Sequence, residues 1–354
     1  MDSANLTAPD SVRTLGQLGP VSALGIGSFA GEPTDADDAL YVSATTDALK
    51  HGITLVDTSI NYRSQRSERA IGKALRDWRI GSSGGSKSAS DRAHITVCSR
   101  GGYIPLEAPA PASKTEYRNY VEREYFNSGI IHPDELVAGG HCIAPTFMSD
   151  QIARSRANLG VDVIDLYYLH NPEQQLDGVS RDVFTQRLRD AFAALEACMG
   201  VGAIRAYGCA TWHGLRVGPD APNHLSLEAL VNTAYEVAGD DHHFAAVQLP
   251  INLAMSEAVR VPTQMVKGQL RTVLEAASEL GVSVVACAPL MHGKLAEGLP
   301  DEVRAALPAA PTDAGRALNF VRTLPGVTST VVGMRSLAHV EENVALLGAA
   351  PALD

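Results

Sequence analysis

The sequence predicts an α/β protein: one closed (β/α)8 TIM-type barrel carrying a long insertion after its third strand. Three observations predict it. Short apolar runs alternate with helical patterns eight times along the chain. The runs lack polar alternation, as parallel strands buried on both faces do. Two of them end in groups suited to proton transfer: residues 53–56 lead into Asp57 and then Tyr62, and residues 163–169 lead into His170-Asn171-Pro172-Glu173. A doubly wound open sheet is the structural competitor. A barrel would gather every strand end at one mouth, where Asp57, Arg100, His170, Gln248 and Cys287 would converge.

The elements follow in order. Residues 23–27 form the first strand, before a helix over 35–51 that Gly52 stops. Residues 53–56 are the second strand and 67–78 its helix; residues 95–98 are the third. The fourth, 163–169, follows a helix over 149–159, and a helix over 181–199 leads to the fifth, 203–208. Residues 244–248, 282–287 and 329–333 complete the set. Two segments break the rhythm. The Gly/Ser-rich run at 81–88 reads as a flexible loop away from the mouth, and it lacks the glycine and preceding strand of a phosphate loop. Residues 101–145 leave the third strand on the mouth side, with Tyr103 and the pair His141-Cys142, and would shape substrate access.

Composition narrows the function. The chain has 354 residues, 45% hydrophobic and 19% charged, which supports a large core in a single domain over 1–354. A formal charge of -11 argues against nucleic acid or an anionic membrane as partner and leaves small molecules. No apolar run approaches the roughly 20 residues that span a bilayer, and the N-terminus lacks a signal-peptide pattern. Five dispersed cysteines read as reduced thiols of a cytoplasmic protein. The histidines have no zinc-site spacing, so no metal is expected; His141 and Cys142 would fold the insertion over the mouth. The sequon at Asn5 reads as chance.

Each site residue also has a bland reading: Asp57 as a turn cap, Tyr62 as a packing residue, His170 as a strand terminator. Their joint occurrence at strand ends is what favours chemistry. The chain resembles the aldo-keto reductases in residues 57–68 with Ile71-Gly72, in 165–170, in 204–208, in Pro289-Leu290-Met291-His292-Gly293 and in Gly333-Met334-Arg335-Ser336 with Glu342-Asn343. The likeness spans residues 24–343. It implies a nicotinamide-dependent oxidoreductase acting on a small-molecule carbonyl as a monomer or weak homo-oligomer. It also implies Tyr62 as proton donor, Asp57 as the organising acid and His170 as the group that orients the carbonyl. The family's lysine position is held by Arg100, a planar cation that prefers to grip a carboxylate and is expected to activate Tyr62 less well.

No Gly-x-Gly-x-x-Gly opens a helix, so the cofactor is expected outside any Rossmann motif. By resemblance, the nicotinamide would meet Gly27, Asp57, Asn171, Ala210, Thr211 and Gln248, the last holding the carboxamide. Ala210 and Thr211 stand where the family usually has Ser-Asn, and Cys287 where an aromatic commonly stacks. Pro289, Leu290, Gly293 and Lys294 would wrap the pyrophosphate. Gly333, Arg335, His339, Glu342 and Asn343 would take the adenosine end, with Arg335 on a 2′-phosphate, implying NADP, with NAD as the alternative. The departures at Arg100, Ala210 and Cys287 favour a second reading, a cofactor-binding barrel whose redox activity is lost or repurposed: a sensor or interaction protein, or a non-redox catalyst such as a cyclase or dehydratase.

Overall fold

The computed structural model describes residues 11–80 and 94–348, so the run at 81–88 and Asn5 lie outside the described residues. Among the described residues twelve strands occur in chain order: β1 Val12–Thr14, β2 Pro20–Ser22, β3 Leu24–Gly27, β4 Leu55–Asp57, β5 Thr96–Gly101, β6 Leu166–His170, β7 Tyr207–Ala210, β8 Phe244–Pro250, β9 Gln264–Val266, β10 Gln269–Arg271, β11 Ser283–Cys287 and β12 Val327–Gly333. Eight close into a parallel barrel in the order β11-β12-β3-β4-β5-β6-β7-β8. These are the eight runs expected from the sequence. Helices wrap them because each connection between parallel neighbours must cross over.

Two helices follow the first two barrel strands, β3 and β4. Helix α1, Asp35–Lys50, starts where the Thr34 hydroxyl accepts the Asp37 N–H (3.3 Å), with Asp35, Asp37 and Asp38 in its first turn. Helix α2, Arg66–Ile80, packs against it. The barrel interior holds Leu55, Cys98, Leu166, Tyr168, Ala206, Val285 and Val331, and the β1–β2 hairpin plugs its lower end with Leu15, Leu18 and Val21. A hairpin of three-residue strands carries too little periodicity to be read from the sequence.

The strand boundaries shift where burial and pairing diverge. β5 extends past Cys98 to Gly101, which puts Arg100 inside the ladder opposite Tyr168. β7 begins only at Tyr207; before it Ile204 makes an isolated bridge to Ile164, with Ala203, Ile204 and Ala206 buried and Arg205 exposed between them. Gly208 is required there, since a Cβ would lie 2.0 Å from the Ala246 carbonyl oxygen. The register aligns Gly333, Gly27 and Asp57 on one side of the mouth and His170, Ala210 and Gln248 on the other. Residues 101–145 carry a helix, Lys114–Val121, and are closed on themselves by bridges from His141 to Tyr103 and Val137. Among the described residues no helix is long and apolar enough to cross a membrane.

Candidate active site

At the C-terminal ends of β4, β5 and β8, Arg100 donates to Asp57 and to the Gln248 amide oxygen, and its Nε reaches the Thr58 carbonyl at 3.2 Å. Gln248 closes the triangle, its amide N–H donating to Asp57 at 3.0 Å. All three side chains are buried. Burial pushes the Asp57 carboxyl up, and the facing guanidinium pulls against it. Arg100 therefore pairs with the carboxylate through one nitrogen and spreads its other donors over Gln248 and the Thr58 carbonyl, where a two-pronged grip was expected. The same guanidinium lies 5.4 Å from the Tyr168 ring centroid and 5.8 Å from that of Tyr62.

Tyr62 is set by a short turn after β4. Its N–H donates to the Ser59 carbonyl (3.1 Å), while the Ser59 hydroxyl donates to Asn61 and lies 3.3 Å from the Arg100 carbonyl. Burial pushes the Tyr62 phenol up to about 12, and the charge of Arg100 only partly offsets it. A phenol in that state keeps its proton at neutral pH. The His170 ring stands edge-on to Tyr62 at 6.0 Å and to Tyr103 at 4.9 Å. Burial, with Arg100 and His141 nearby, holds His170 well below the usual imidazole range, so it is neutral, and its Nδ1 is buried without a partner.

The insertion fixes His170 from behind. Gln175 accepts from Arg187 through Oε1 (2.7 Å), which leaves its NH2 to donate to His141 Nδ1 (2.7 Å). His141 then carries its proton on Nε2 and gives it to the His170 carbonyl at 2.8 Å. Gly102, at φ +151°, fits between them where a Cβ would come 2.8 Å from that carbonyl oxygen. Burial lowers His141 to about 4 from 6.5. As pH falls from 6.5 towards 4, the unfolded chain takes up this proton before the folded one, so stability is lost across that window, by about 3 kcal/mol for this group. Urea midpoints at about pH 7.5 and about pH 4.5 should show the loss, and His141→Gln should make it shallower. An equal loss in the variant would reject the assignment. Cys142 beside it is buried and its thiol is pushed up to about 12, which leaves it unreactive at neutral pH.

The residues expected to hold a cofactor fall into two groups. Gly27, Asp57, Ala210, Thr211 and Gln248 surround the mouth and are buried. Thr211 donates its N–H to the Gln248 carbonyl (2.8 Å), and its hydroxyl is buried with no partner, a free group of the kind a bound amide would satisfy. The Gln248 side chain differs from expectation: both ends of its amide are engaged by Arg100 and Asp57 instead of projecting free. Asn171 differs too, its side chain turning to the Tyr103 hydroxyl (3.0 Å) in the insertion. After β11, Pro289, Leu290, Gly293 and Lys294 lie in a loop with positive φ at Ala288, Met291, His292 and Gly293. Gly333, which ends β12, and Arg335 and His339 beyond it are exposed, but Arg335 is paired with Asp37 of α1 at 3.2 Å. Glu342 accepts from the Thr312 hydroxyl through one oxygen, and Asn343 is buried.

The model of the aldo/keto reductase family matches residues 23–305. The chain belongs to that family. Its members are oxidoreductases, and the barrel is theirs. Solved structures agree on the fold: an aldo/keto reductase from Klebsiella pneumoniae in complex with NADP and acetate, 19% identical, superposes with a TM-score of 0.62 over 96% of this chain and 90% of the other. An aldo-keto reductase from Bacillus halodurans in its holo form is 20% identical, with a TM-score of 0.63 over 97% and 92%. No curated protein matches the chain.

Several side chains at the mouth take roles that no sequence motif marked. Phe29 contacts Tyr62 edge-on at 5.0 Å and His292 at 5.5 Å, and Trp212 stacks on His292 at 6.3 Å, so an aromatic arc borders the mouth. Glu173 is buried, and one carboxylate oxygen accepts three successive N–H groups, from Trp212 (2.8 Å), His213 (3.0 Å) and Gly214 (3.2 Å), shaping the loop after β7. An acid directly after His170-Asn171-Pro172 was the signal available for it.

Proposed function

We propose that the protein reduces an aldehyde or ketone to an alcohol with NADPH, Tyr62 giving the proton. The observation that carries this reading is the meeting of Tyr62, neutral His170 and the Arg100 and Asp57 pair at one barrel mouth. When bound, the nicotinamide supplies the hydride. Tyr62 holds a proton for the carbonyl oxygen, and His170 with the fixed charge of Arg100 stabilises the negative charge that develops there. Thr211 and the backbone around Ala210 and Gly27 would seat the ring, with residues 289–294 over the pyrophosphate. The NADP of the Klebsiella relative supports the phosphorylated cofactor. NAD is the alternative, because Arg335 shares its charge with Asp37. The five free cysteines suit the cytoplasm, where thiols stay reduced, and a monomer or weak homo-oligomer is the form we infer.

A second reading is a cofactor-binding barrel with lost or repurposed redox activity. It is favoured by one observation, that Arg100 and Gln248 are committed to Asp57 while Tyr62 stays a weak acid. Fluorescence titration with NADPH, followed by absorbance decay with a panel of aldehydes, separates the two. Saturable binding with turnover is the expected result. Binding without decay favours the second reading, and no binding rejects both.

A further inference from the structure

Between Tyr62 and helix α2 the backbone does something costly. Arg63, Ser64 and Gln65 sit at φ +49°, +55° and +66°, three consecutive residues with side chains in the left-handed region that glycine favours. Such a run persists only where its surroundings hold it. Two clamps do so here. On one side Arg63 is buried, its guanidinium donating to the Glu32 carbonyl (2.9 Å), the Thr34 carbonyl (3.3 Å) and Asp38, and lying 5.1 Å from the Tyr41 ring. On the other, Gln65 is buried and donates to Glu107 Oε1 (2.8 Å) and the Leu106 carbonyl (3.3 Å), while its own amide oxygen accepts from Asn158 (3.1 Å). Glu107 is in turn held by both terminal nitrogens of Arg69, at 2.7 and 2.9 Å.

Glu107 belongs to the 101–145 insertion, and the turn it clamps begins at the residue after Tyr62. We propose that residues 63–65 are a strained seat for Tyr62 and that Glu107 is a positioning residue, through which the insertion sets the phenol. The inference rests on the reading of Tyr62 as proton donor. Without the clamp the turn relaxes towards right-handed backbone, and the phenol swings from its place beside His170. A displacement of this kind acts on turnover and not on cofactor binding, because no cofactor residue contacts Glu107.

The test uses the full chain with Glu107→Ala, Glu107→Gln, Ser64→Gly and the Ser64→Gly/Glu107→Ala double variant. Glu107→Ala should lower kcat about tenfold, as small misplacements of reacting groups do, with the NADPH Kd unchanged. Glu107→Gln, which still offers Gln65 an acceptor oxygen, should return most of that loss. Glycine takes the left-handed conformation without strain, so Ser64→Gly should raise Tm, and the Tm loss from Glu107→Ala should be smaller in its background. A kcat within about twofold of wild type in Glu107→Ala, or a parallel loss of NADPH affinity, would overturn the proposal. If the wild-type chain binds NADPH but turns over no carbonyl, the functional reading fails. The Tm cycle needs no turnover and still decides the seat: equal losses in both backgrounds overturn it.

Discussion

Tyr62→Phe should lower kcat for carbonyl reduction by about 10²–10⁴-fold and leave NADPH affinity unchanged. The variant removes only the hydroxyl. The ring keeps its edge contacts with Phe29 and His170, so the barrel mouth keeps its shape. The wild-type pH profile supplies a second check on the same group. Reduction needs the protonated phenol, and burial raises that phenol to about 12; it also needs the neutral imidazole, which burial holds far below 6.5. Both groups stay in the required state at neutral pH, and kcat/KM should be flat from about pH 6 to about pH 10. Activity should fall only as the pH climbs towards the phenol's value. Steady-state rates across that range are the measurement. An undiminished kcat in Tyr62→Phe, or a bell with an apparent pKa near 8, would remove Tyr62 from its role.

Arg100→Met is expected to have the largest effect on stability. It strands Asp57 in a buried site with one N–H from Gln248, and breaking such a pair costs about 3–5 kcal/mol. Adding Asp57→Asn removes the stranded charge and should recover most of the loss, because a buried ion pair replaced by neutral groups is often close to neutral. Turnover should not recover, since the positive field at the carbonyl oxygen is gone from both variants. Urea denaturation and single-turnover rates measure the two consequences separately. A loss below about 1 kcal/mol in Arg100→Met would mean that the triangle with Gln248 does not depend on the cation.

Much of this site was legible because strand-end side chains inherit their position from the barrel. Once residues 53–56, 95–98 and 163–169 are parallel neighbours, Asp57, Arg100 and His170 must lie at one rim, whatever their partners. Partner choice was less legible. Gln248 was expected to face a carboxamide, yet an adjacent guanidinium and carboxylate offer its amide charge-assisted bonds already in place. Arg335 was expected to await a phosphate, and Asp37, nearly three hundred residues earlier in the chain, neutralises it first. Neither pairing has a signature in local sequence.

By itself the sequence determined the barrel, the order of its strands and the identity of the polar groups at its mouth, because apolar runs and their spacing dictate which segments must be buried and in what sequence they pair. Only the tertiary structure decided which of those groups are already satisfied, that Glu173 shapes the loop after β7, and that the turn following Tyr62 is left-handed. These depend on contacts between residues far apart in the chain, where distance and burial set the energy and residue type alone does not.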